Sequence, residues 1–177
     1  MSKVILYLAM SLDGKISAPN HDVSWLEEVP NPEKSDFGYS QFYGGMSATV
    51  MGRTTYQWVV DQGMPWPYGP TDNYVLTTNP DLQDNDEVTF ISEDHFDYIR
   101  KLKQEQPKDI WLIGGAKVNQ ACLNAGVVDE LIIMLMPVLL GEGTTLFEMP
   151  YDRKWLELSE TITHSGGVVE LRYKAKN

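Results

Sequence analysis

The segment 110–117, which reads IWLIGGAK, constrains the fold of this chain more than any other stretch. Its four apolar residues, bracketed by charged ones, predict a buried strand, and residues 116–123 are typical of a helix. Gly114 and Gly115 lie at the junction, where glycines let the backbone approach a ligand without Cβ atoms in the way. The helix N-terminus behind them presents unpaired N–H groups and the positive end of the helix dipole. The segment therefore indicates either a phosphate or pyrophosphate site or a plain tight turn.

The composition is that of an ordinary globular protein. With 177 residues, 42% of them hydrophobic and 22% charged, the chain is expected to form one domain over residues 1–177 with a full core. No apolar run approaches the roughly 20 residues that a membrane span needs. The run 1–8 is interpreted as the first strand rather than a signal peptide. Cys122 is the only cysteine and is predicted to be a buried structural thiol, which fits the cytoplasm.

The charge of the chain argues against some partners. A net charge of −11 with no basic stripe is unfavourable for binding nucleic acid, although a nucleotide cofactor needs only a few local donors. The three histidines, His21, His95 and His164, do not pair with cysteine or carboxylate residues at metal-ligand spacing. The sequence therefore predicts no metal site, no nucleic-acid partner and no membrane association.

Strands and helices are predicted to alternate along the chain. A helix over 33–44 enters through prolines, and Ser92 is expected to cap a helix whose apolar stripe is Phe96, Ile99 and Leu102. This order predicts an α/β architecture with a mostly parallel central sheet, helices on both faces and an antiparallel C-terminal edge. Further helices are predicted over 54–60 and 116–123, and strands over 3–10, 48–51, 74–77, 88–91, 110–113, 129–140, 155–163 and 168–174.

Two further strand ends carry chemistry suited to phosphate. One strand ends at Gly52, and the helix after it begins with Arg53, Thr54 and Thr55. Arginine makes bidentate, charge-assisted contacts to phosphate, and threonine can either cap a helix or bind the same phosphate. The strand that ends in the segment 75–79 adds two more hydroxyl groups. Because ligands of open α/β sheets bind at the carboxyl ends of strands, these ends indicate one extended ligand with more than one phosphate.

Four segments in this order resemble the dihydrofolate reductase superfamily. They are AMSLDGKI at 9–16, MGRTT at 51–55, VLTT at 75–78 and IGG at 113–115. The segment MPVLLGEGTTLF at 136–147 is similar to the branch that contains the reductase domain of bifunctional riboflavin-biosynthesis proteins. The resemblance runs from about residue 3 to residue 147 and implies a dihydrofolate reductase-like fold with NADPH as the hydride donor.

The resemblance also implies roles for individual residues. Ala9 and Ile16 would meet the nicotinamide, with Ile16 in a flexible loop that covers the ring. Arg53 and Thr77 would lie near the adenosine 2′-phosphate. The other positions that match the family's cofactor site, where the phosphates, the pyrophosphate and the nicotinamide ribose bind, are Gly52, Thr54, Thr55, Leu76, Thr78, Ile113, Gly114, Gly115, Ala116, Lys117 and Val118.

Asp36 is the expected proton-handling and substrate-binding residue. It precedes Gly52 by 16 positions, which is similar to the placement of the acidic residue in dihydrofolate reductases. A carboxylate there can pair with an aminopyrimidine edge and favour protonation of the reduced ring. The alternative is an acidic residue that is stabilised near a helix start by the dipole. Trp25 and Phe37 are expected either to wall a flat heterocycle or to be core.

Two departures distinguish the chain from the folate enzymes. Met134 stands about where those enzymes carry a hydroxyl residue that supports the acid, and the segment 70–73 contains Asp72 but no arginine for a glutamate tail. In the other direction, MGRTTY at 51–56 is more similar to folate reductases than to riboflavin reductases, and the deaminase domain that often accompanies the latter is absent from the sequence.

The sequence as a whole predicts a cytoplasmic NADPH-dependent oxidoreductase of a pyrimidine- or pterin-like heterocycle. Reduction of 5-amino-6-(5-phosphoribosylamino)uracil ranks first and dihydrofolate reduction second. The alternative from another class is a non-catalytic nucleotide-binding protein on the same fold. The apolar segment 131–140 and the aromatic C-terminal region predict a homodimer.

Overall fold

The chain folds around one eight-stranded sheet, which we describe from a computed structural model of residues 1–176. Four α-helices connect or flank its strands: α1 (Tyr39–Gly44), α2 (Arg53–Asp61), α3 (His95–Glu105) and α4 (Ala116–Asn124). The strands in chain order are β1 (Val4–Ser11), β2 (Lys15–Ser17), β3 (Met46–Gly52), β4 (Asp72–Leu76), β5 (Thr89–Ile91), β6 (Asp109–Gly114), β7 (Glu130–Met136), β8 (Thr144–Thr145), β9 (Leu156–Thr163) and β10 (Val169–Ala175).

The topology confirms the predicted α/β class. The strand order is β5-β4-β3-β6-β1-β7-β10-β9, and the first six strands are parallel, while β10 pairs antiparallel with both β7 and β9. The short strands β2 and β8 pair with each other outside this sheet. Because parallel strands point the same way, the carboxyl ends of β1, β3, β4, β6 and β7 meet at one edge of the sheet.

The middle of the sheet is fully buried. Val50, Leu112, Leu6 and Leu131 lie side by side on β3, β6, β1 and β7, and none is more than 1% exposed. Strands that are covered on both faces need apolar residues at successive positions rather than at alternate ones. This requirement explains why the central strands could be identified as continuous apolar runs.

Helices cover both faces of the sheet. On one face, Ile99 and Leu102 of α3 join the core, as the predicted apolar stripe requires, together with Cys122 of α4. Cys122 is buried, as predicted, and burial raises the pKa of its thiol to about 12, which disfavours the reactive thiolate. The opposite face is covered by aromatic residues of α1 and by Tyr56 of α2.

Three predicted boundaries were wrong for local reasons. The helix predicted over 33–44 begins only at Tyr39, because Phe37 and Gly38 adopt left-handed conformations, with φ of 52° and 83°. Asp94, rather than Ser92, occupies the N-cap of α3 and makes no side-chain cap there. The strand predicted over 129–140 ends at Met136, since the next residue is Pro137, which has no N–H for a sheet hydrogen bond.

The described helices are short, and the longest, α3, has 11 residues. None of the helices within residues 1–176 combines the length and the apolar character needed to cross a membrane.

Candidate functional site

A cavity of about 810 Å³ lies at the edge of the sheet where the parallel strands end. Its volume is within the range of roughly 300–1,000 Å³ that is usual for small-molecule and cofactor sites. Gly114 is buried and does not line the cavity. The other predicted cofactor residues all line it: Ala9, Ile16, Gly52, Arg53, Thr54, Thr55, Leu76, Thr77, Thr78, Ile113, Gly115, Ala116, Lys117 and Val118.

Two helices begin at the wall of this cavity. α2 starts directly after Gly52 and α4 directly after Gly115, and neither helix has a side-chain cap at its N-terminus. The first N–H groups of a helix have no partner within the helix, and they carry the positive end of its dipole. The cavity wall therefore offers two sets of backbone donors that are suited to an anion with two phosphates.

Glycine is required where these two turns meet. The Thr55 hydroxyl donates to the carbonyl oxygen of Gly114 at 3.2 Å, which joins the start of α2 to the end of β6. A Cβ atom on Gly52 would lie 2.8 Å from the Val118 side chain, and one on Gly115 would lie 3.2 Å from the Thr55 hydroxyl. Gly115 also has a φ of +98°, which L residues with a side chain rarely adopt. Any larger residue would separate the two helix N-termini.

One end of the cavity has cationic and hydroxyl chemistry. Arg53 is exposed, and within residues 1–176 it has no acidic partner at ion-pair distance. Thr77, which is buried, and Thr78, which is exposed, also line the cavity. His95, the first residue of α3, places Nε2 2.8 Å from the Thr77 carbonyl oxygen, so that this nitrogen carries a proton and donates. Sequence reasoning missed His95, because only the tertiary fold brings α3 to the end of β4.

The other end of the cavity is aromatic, with Tyr7, Tyr68 and Trp111 in its wall. The Trp111 ring meets Tyr7 and Tyr68 edge-on, with centroids 5.9 Å and 5.4 Å apart. Burial raises the pKa of both Tyr7 and Tyr68 to about 12, so that both hydroxyl groups keep their protons at neutral pH. Sequence reasoning missed Tyr7, although strand alternation places it on the same face of β1 as Ala9.

The structure does not bring Asp36 to this cavity. Its side chain is exposed, and its carboxylate accepts the backbone N–H groups of Gly38 and Ser40 at 2.9 Å each. Hydrogen bonds from the side chain and backbone of Ser40, followed by the Gly38 amide, lower the pKa of Asp36. The carboxylate therefore lies at the start of α1 and outside the cavity wall, which is the arrangement of the capping alternative.

Trp25 and Phe37 also lie outside the cavity wall. Trp25 is buried in a cluster with Met134, Met136 and Val168, and Phe37 packs against that cluster. The Phe37 ring also meets the His164 ring edge-on, with centroids 5.7 Å apart. Both aromatic residues therefore fit the core alternative rather than a wall for a heterocycle.

The segment 11–26 forms one side of the cavity and is more ordered than the predicted loop. It contains β2 and two short 3-10 helices, Pro19–His21 and Ser24–Leu26. The lining residues it supplies are Ile16, Ser17, His21, Val23 and Leu26.

A carboxylate fixes this segment to the loop after β7. Asp13 accepts the Ser11 hydroxyl at 2.6 Å, and its two oxygens also accept the backbone amides of Leu140 and Gly141 at 3.0 Å and 2.7 Å. The pairing of β2 with β8 adds a second connection between the same two regions. The position of Ile16 in the cavity wall therefore depends on the loop that follows β7.

The described part of the chain has no cluster of metal-ligating side chains. No group of three or more histidine, cysteine, aspartate or glutamate side chains in residues 1–176 is arranged to hold a metal ion.

Comparisons with known proteins agree with this geometry. The RibD C-terminal domain matches residues 2–169. Two curated proteins of Bacillus subtilis (strain 168) are similar along almost their whole length. The uncharacterized protein YwjB is 36% identical over 171 residues, which cover 97% of each chain, and the uncharacterized protein YyaP is 32% identical over 183 residues, which cover 97% of this chain and 94% of YyaP.

Solved structures show the same fold. A Shewanella sp. PV-4 protein, whose name assigns it provisionally to riboflavin biosynthesis, has a TM-score of 0.87 and 25% identity over 100% of both chains. A Thermotoga maritima diaminohydroxyphosphoribosylaminopyrimidine deaminase/5-amino-6-(5-phosphoribosylamino)uracil reductase has a TM-score of 0.73 and 16% identity, covering 99% of this chain and 57% of that one. A pyrimidine reductase-like protein of Corynebacterium diphtheriae has a TM-score of 0.67 and 16% identity, covering 99% and 92%.

The connection through Asp13 predicts a pH-dependent loop. The Ser11 hydroxyl, followed by the Leu140 and Gly141 amides, lowers the pKa of Asp13 to about 2, whereas an unperturbed aspartate has a pKa of roughly 4. The stabilisation that this depressed pKa provides is complete above roughly pH 4 and is lost as the pH falls through about 2. Hydrogen-exchange protection of the Leu140 and Gly141 amides, corrected for intrinsic exchange, should therefore fall severalfold between pH 5 and pH 2.

Asp13→Asn should lower this protection at pH 5 and remove its pH dependence. Asp22→Asn is the matched control, because Asp22 caps Ser24 within the same segment and makes no hydrogen bond to the loop after β7. Equal protection in the wild type and in Asp13→Asn would contradict the connection.

Proposed function

The chain belongs to the RibD C-terminal domain family, with the dihydrofolate reductase-like fold that the sequence predicts, and on this premise we propose that it is a cytoplasmic NADPH-dependent reductase of a pyrimidine-like heterocycle. The reaction proposed first is reduction of 5-amino-6-(5-phosphoribosylamino)uracil or a close analogue. The observation that carries the proposal is one cavity that joins two uncapped helix N-termini, an unpaired arginine and an aromatic end. NADPH, when bound, supplies a hydride to an electrophilic carbon of the substrate.

The residues at the polar end fit the phosphates of NADPH. The backbone amides that follow Gly52 and Gly115 would hold the pyrophosphate, because both sets face the same cavity without a cap. Arg53 and Thr77 would hold the adenosine 2′-phosphate. An exposed guanidinium with no acidic partner is free to make a bidentate contact to a phosphate.

The nicotinamide would lie between these donors and the aromatic end. Ala9 leaves room for a flat ring against β1, and Ile16 would cover the ring from the segment 11–26. These residues do not supply chemical groups to the reaction. They orient the ring and exclude water, which is how a reductase brings the two reacting carbon atoms together.

The charge of the cavity wall favours a uracil-like substrate over dihydrofolate. Within the described residues, Glu148 is the only carboxylate in the wall, and it lies 3.8 Å from Lys117, beside the start of α4 rather than at the aromatic end. The aminopyrimidine edge of a folate needs a carboxylate partner. A uracil ring presents carbonyl groups, which the phenols of Tyr7 and Tyr68 can meet as donors.

Arg53→Ala should weaken NADPH binding by about 10- to 100-fold, because hydrogen bonds to a charged group contribute roughly 1.5–3 kcal/mol. Binding of NADH, which lacks the 2′-phosphate, should stay within twofold. Fluorescence titration of both nucleotides measures the two effects, and Arg153→Ala, an exposed arginine outside the cavity, is the control. An equal loss of affinity for NADPH and NADH would contradict the 2′-phosphate assignment.

NADPH oxidation, followed at 340 nm, compares the two candidate substrates. We expect kcat/KM to be at least about tenfold higher with 5-amino-6-(5-phosphoribosylamino)uracil than with dihydrofolate, because each unmet polar group in a substrate site costs about 1–3 kcal/mol. A methotrexate-like antifolate should not compete at micromolar concentration. Tight antifolate binding would instead support dihydrofolate reduction. NADPH binding without turnover of either substrate would support a non-catalytic protein.

We also propose that the chain forms a homodimer, although not through the segment 131–140, which is buried between β1 and β10 for most of its length. The outer edge of β9 has no neighbouring strand in residues 1–176, and Trp155 and Leu158 beside it are 76% and 54% exposed. Light scattering should give about 40 kDa, twice the chain mass of 20.1 kDa. Leu158→Lys should shift the mass towards the monomer, because charge protects open strand edges. A wild-type species of about 20 kDa would contradict the proposal.

A further inference from the structure

Tyr7 lies next to the position proposed for the nicotinamide. It precedes Ala9 by two residues on β1, so that both side chains leave the same face of the strand, about 7 Å apart along it. Both residues line the cavity. A substrate that meets the nicotinamide at Ala9 would therefore come within reach of the Tyr7 side chain.

Ring packing holds the Tyr7 side chain in place, whereas its hydroxyl group makes no hydrogen bond within the described residues. The ring stacks on Phe42, with centroids 4.1 Å apart and planes at 16°, and the Trp111 ring meets it edge-on. The Trp111 indole N–H also donates to the Tyr7 carbonyl oxygen at 2.9 Å, which fixes the backbone behind the ring. No hydrogen bond to the Tyr7 hydroxyl is formed by any group in residues 1–176. A rigid ring with an unused donor at a cavity wall is suited to orienting a ligand atom.

The two carboxylates whose charges reach Tyr7, Asp36 and Glu170, are bound to other groups. Asp36 is committed to the start of α1, as described above. Glu170 is buried, but one of its oxygens is bound to His164 at 3.1 Å and the other to Arg172. Neither carboxylate lines the cavity. The Tyr68 phenol does line it, but Tyr68 comes from the loop between α2 and β4 and does not share a strand with Ala9.

We infer that Tyr7 is the catalytic acid of the proposed reduction, and that its hydroxyl binds the substrate nitrogen or oxygen that becomes protonated. This inference rests on the proposed reductase function. In the ribosylaminopyrimidine the ribose ring first opens to its Schiff base, in which the ring C–O bond breaks, the N–H proton passes to that oxygen and a C=N bond forms. The substrate carbon then accepts the hydride, and the electron pair of its C=N bond, or of a C=O bond in an analogue, moves to the heteroatom. The Tyr7 O–H bond breaks and its proton joins that heteroatom. The phenolate that remains on Tyr7 then takes a proton from water at the cavity mouth, which balances the reaction.

The surroundings of Tyr7 suit a neutral acid. Burial, followed by the charges of Glu170, Tyr39 and Asp36 and opposed by Arg172, raises the pKa of Tyr7 to about 12. The phenol therefore holds its proton throughout the physiological range. The nitrogen or oxygen anion that develops during hydride transfer is far more basic than a phenolate, so that proton transfer from Tyr7 is favourable.

Tyr7→Phe tests the inference, because phenylalanine retains the ring contacts and removes only the hydroxyl. With NADPH and 5-amino-6-(5-phosphoribosylamino)uracil, kcat should fall at least about 100-fold, as is usual when an acid catalyst is removed. The Kd of NADPH should stay within twofold. The Kd of the same uracil in the non-reacting complex with NADP⁺, measured by calorimetry, should rise about tenfold. Tyr98→Phe is the control, since Tyr98 packs against Tyr74, makes no contact with Tyr7 and lies outside the cavity wall, and it should change none of these values by more than twofold.

The wild-type enzyme provides a second measurement that does not depend on the folding of a variant. With a phenol as the acid, kcat should be constant from pH 6 to pH 9 and should show a solvent deuterium isotope effect, whereas a carboxylic acid would lose activity as it ionises across this range. A falling profile, or a Tyr7→Phe variant that keeps more than half of the wild-type kcat, would overturn the role of Tyr7 and leave the reductase proposal standing. If the wild type oxidises NADPH with neither this uracil nor dihydrofolate, the reductase proposal fails and the role of Tyr7 fails with it.

Discussion

The close contact between two strand–helix turns is the constraint on which the cavity depends. β3 and β6 pair in register from Ala48 and Ile110 to Val50 and Leu112, but Met51 then pairs with Gly114, so that Ile113 is left over as a bulge. Such a bulge changes the direction of the chain at the end of a strand, and here it places Ile113 in the wall of the cavity. The same irregularity brings the glycine turn against the start of α2. The two helix N-termini converge because the register slips by one residue at this point.

The glycine turn is also connected to the segment that encloses the cavity. Asn119 of α4 is completely buried, its backbone N–H donates to the Gly115 carbonyl oxygen, and its side-chain amide donates to the carbonyl oxygen of Leu146 at 3.1 Å. The Leu146 amide in turn donates to the carbonyl oxygen of Gly14. A continuous path of hydrogen bonds therefore runs from the start of α4 to the segment 11–26. The wall proposed to bind phosphate and the cover over the proposed nicotinamide position are parts of one structure.

The strand ends could be predicted from the sequence, whereas the aromatic end of the cavity could not. Parallel strands that are buried on both faces need apolar residues in succession, and glycine marks the turns that follow them. Gly52 and Gly114 therefore locate the ends of β3 and β6 in the sequence. Asp36 was predicted to lie within a helix over 33–44, but the left-handed Phe37 and Gly38 postpone that helix to Tyr39, so that Asp36 precedes it. The loop that supplies Tyr68 has no periodicity, and only the packing of Trp111 brings its ring to the cavity.

To bind an anionic cofactor, an acidic protein has to compensate for the electrostatic repulsion between its own net charge and that cofactor. The chain carries 25 acidic residues against 14 basic ones, and its net charge repels NADPH at long range. At physiological ionic strength this repulsion is screened within about 8 Å, so that the groups in direct contact decide the binding free energy. Among the described residues only Glu148 brings a carboxylate to the cavity wall, and at the polar end Arg53 and two helix N-termini provide positive charge. At the opposite end phenols replace carboxylates, which leaves the proposed substrate in a neutral environment. The distribution of charge around the cavity, rather than the net charge of the chain, therefore determines which ligand it accepts.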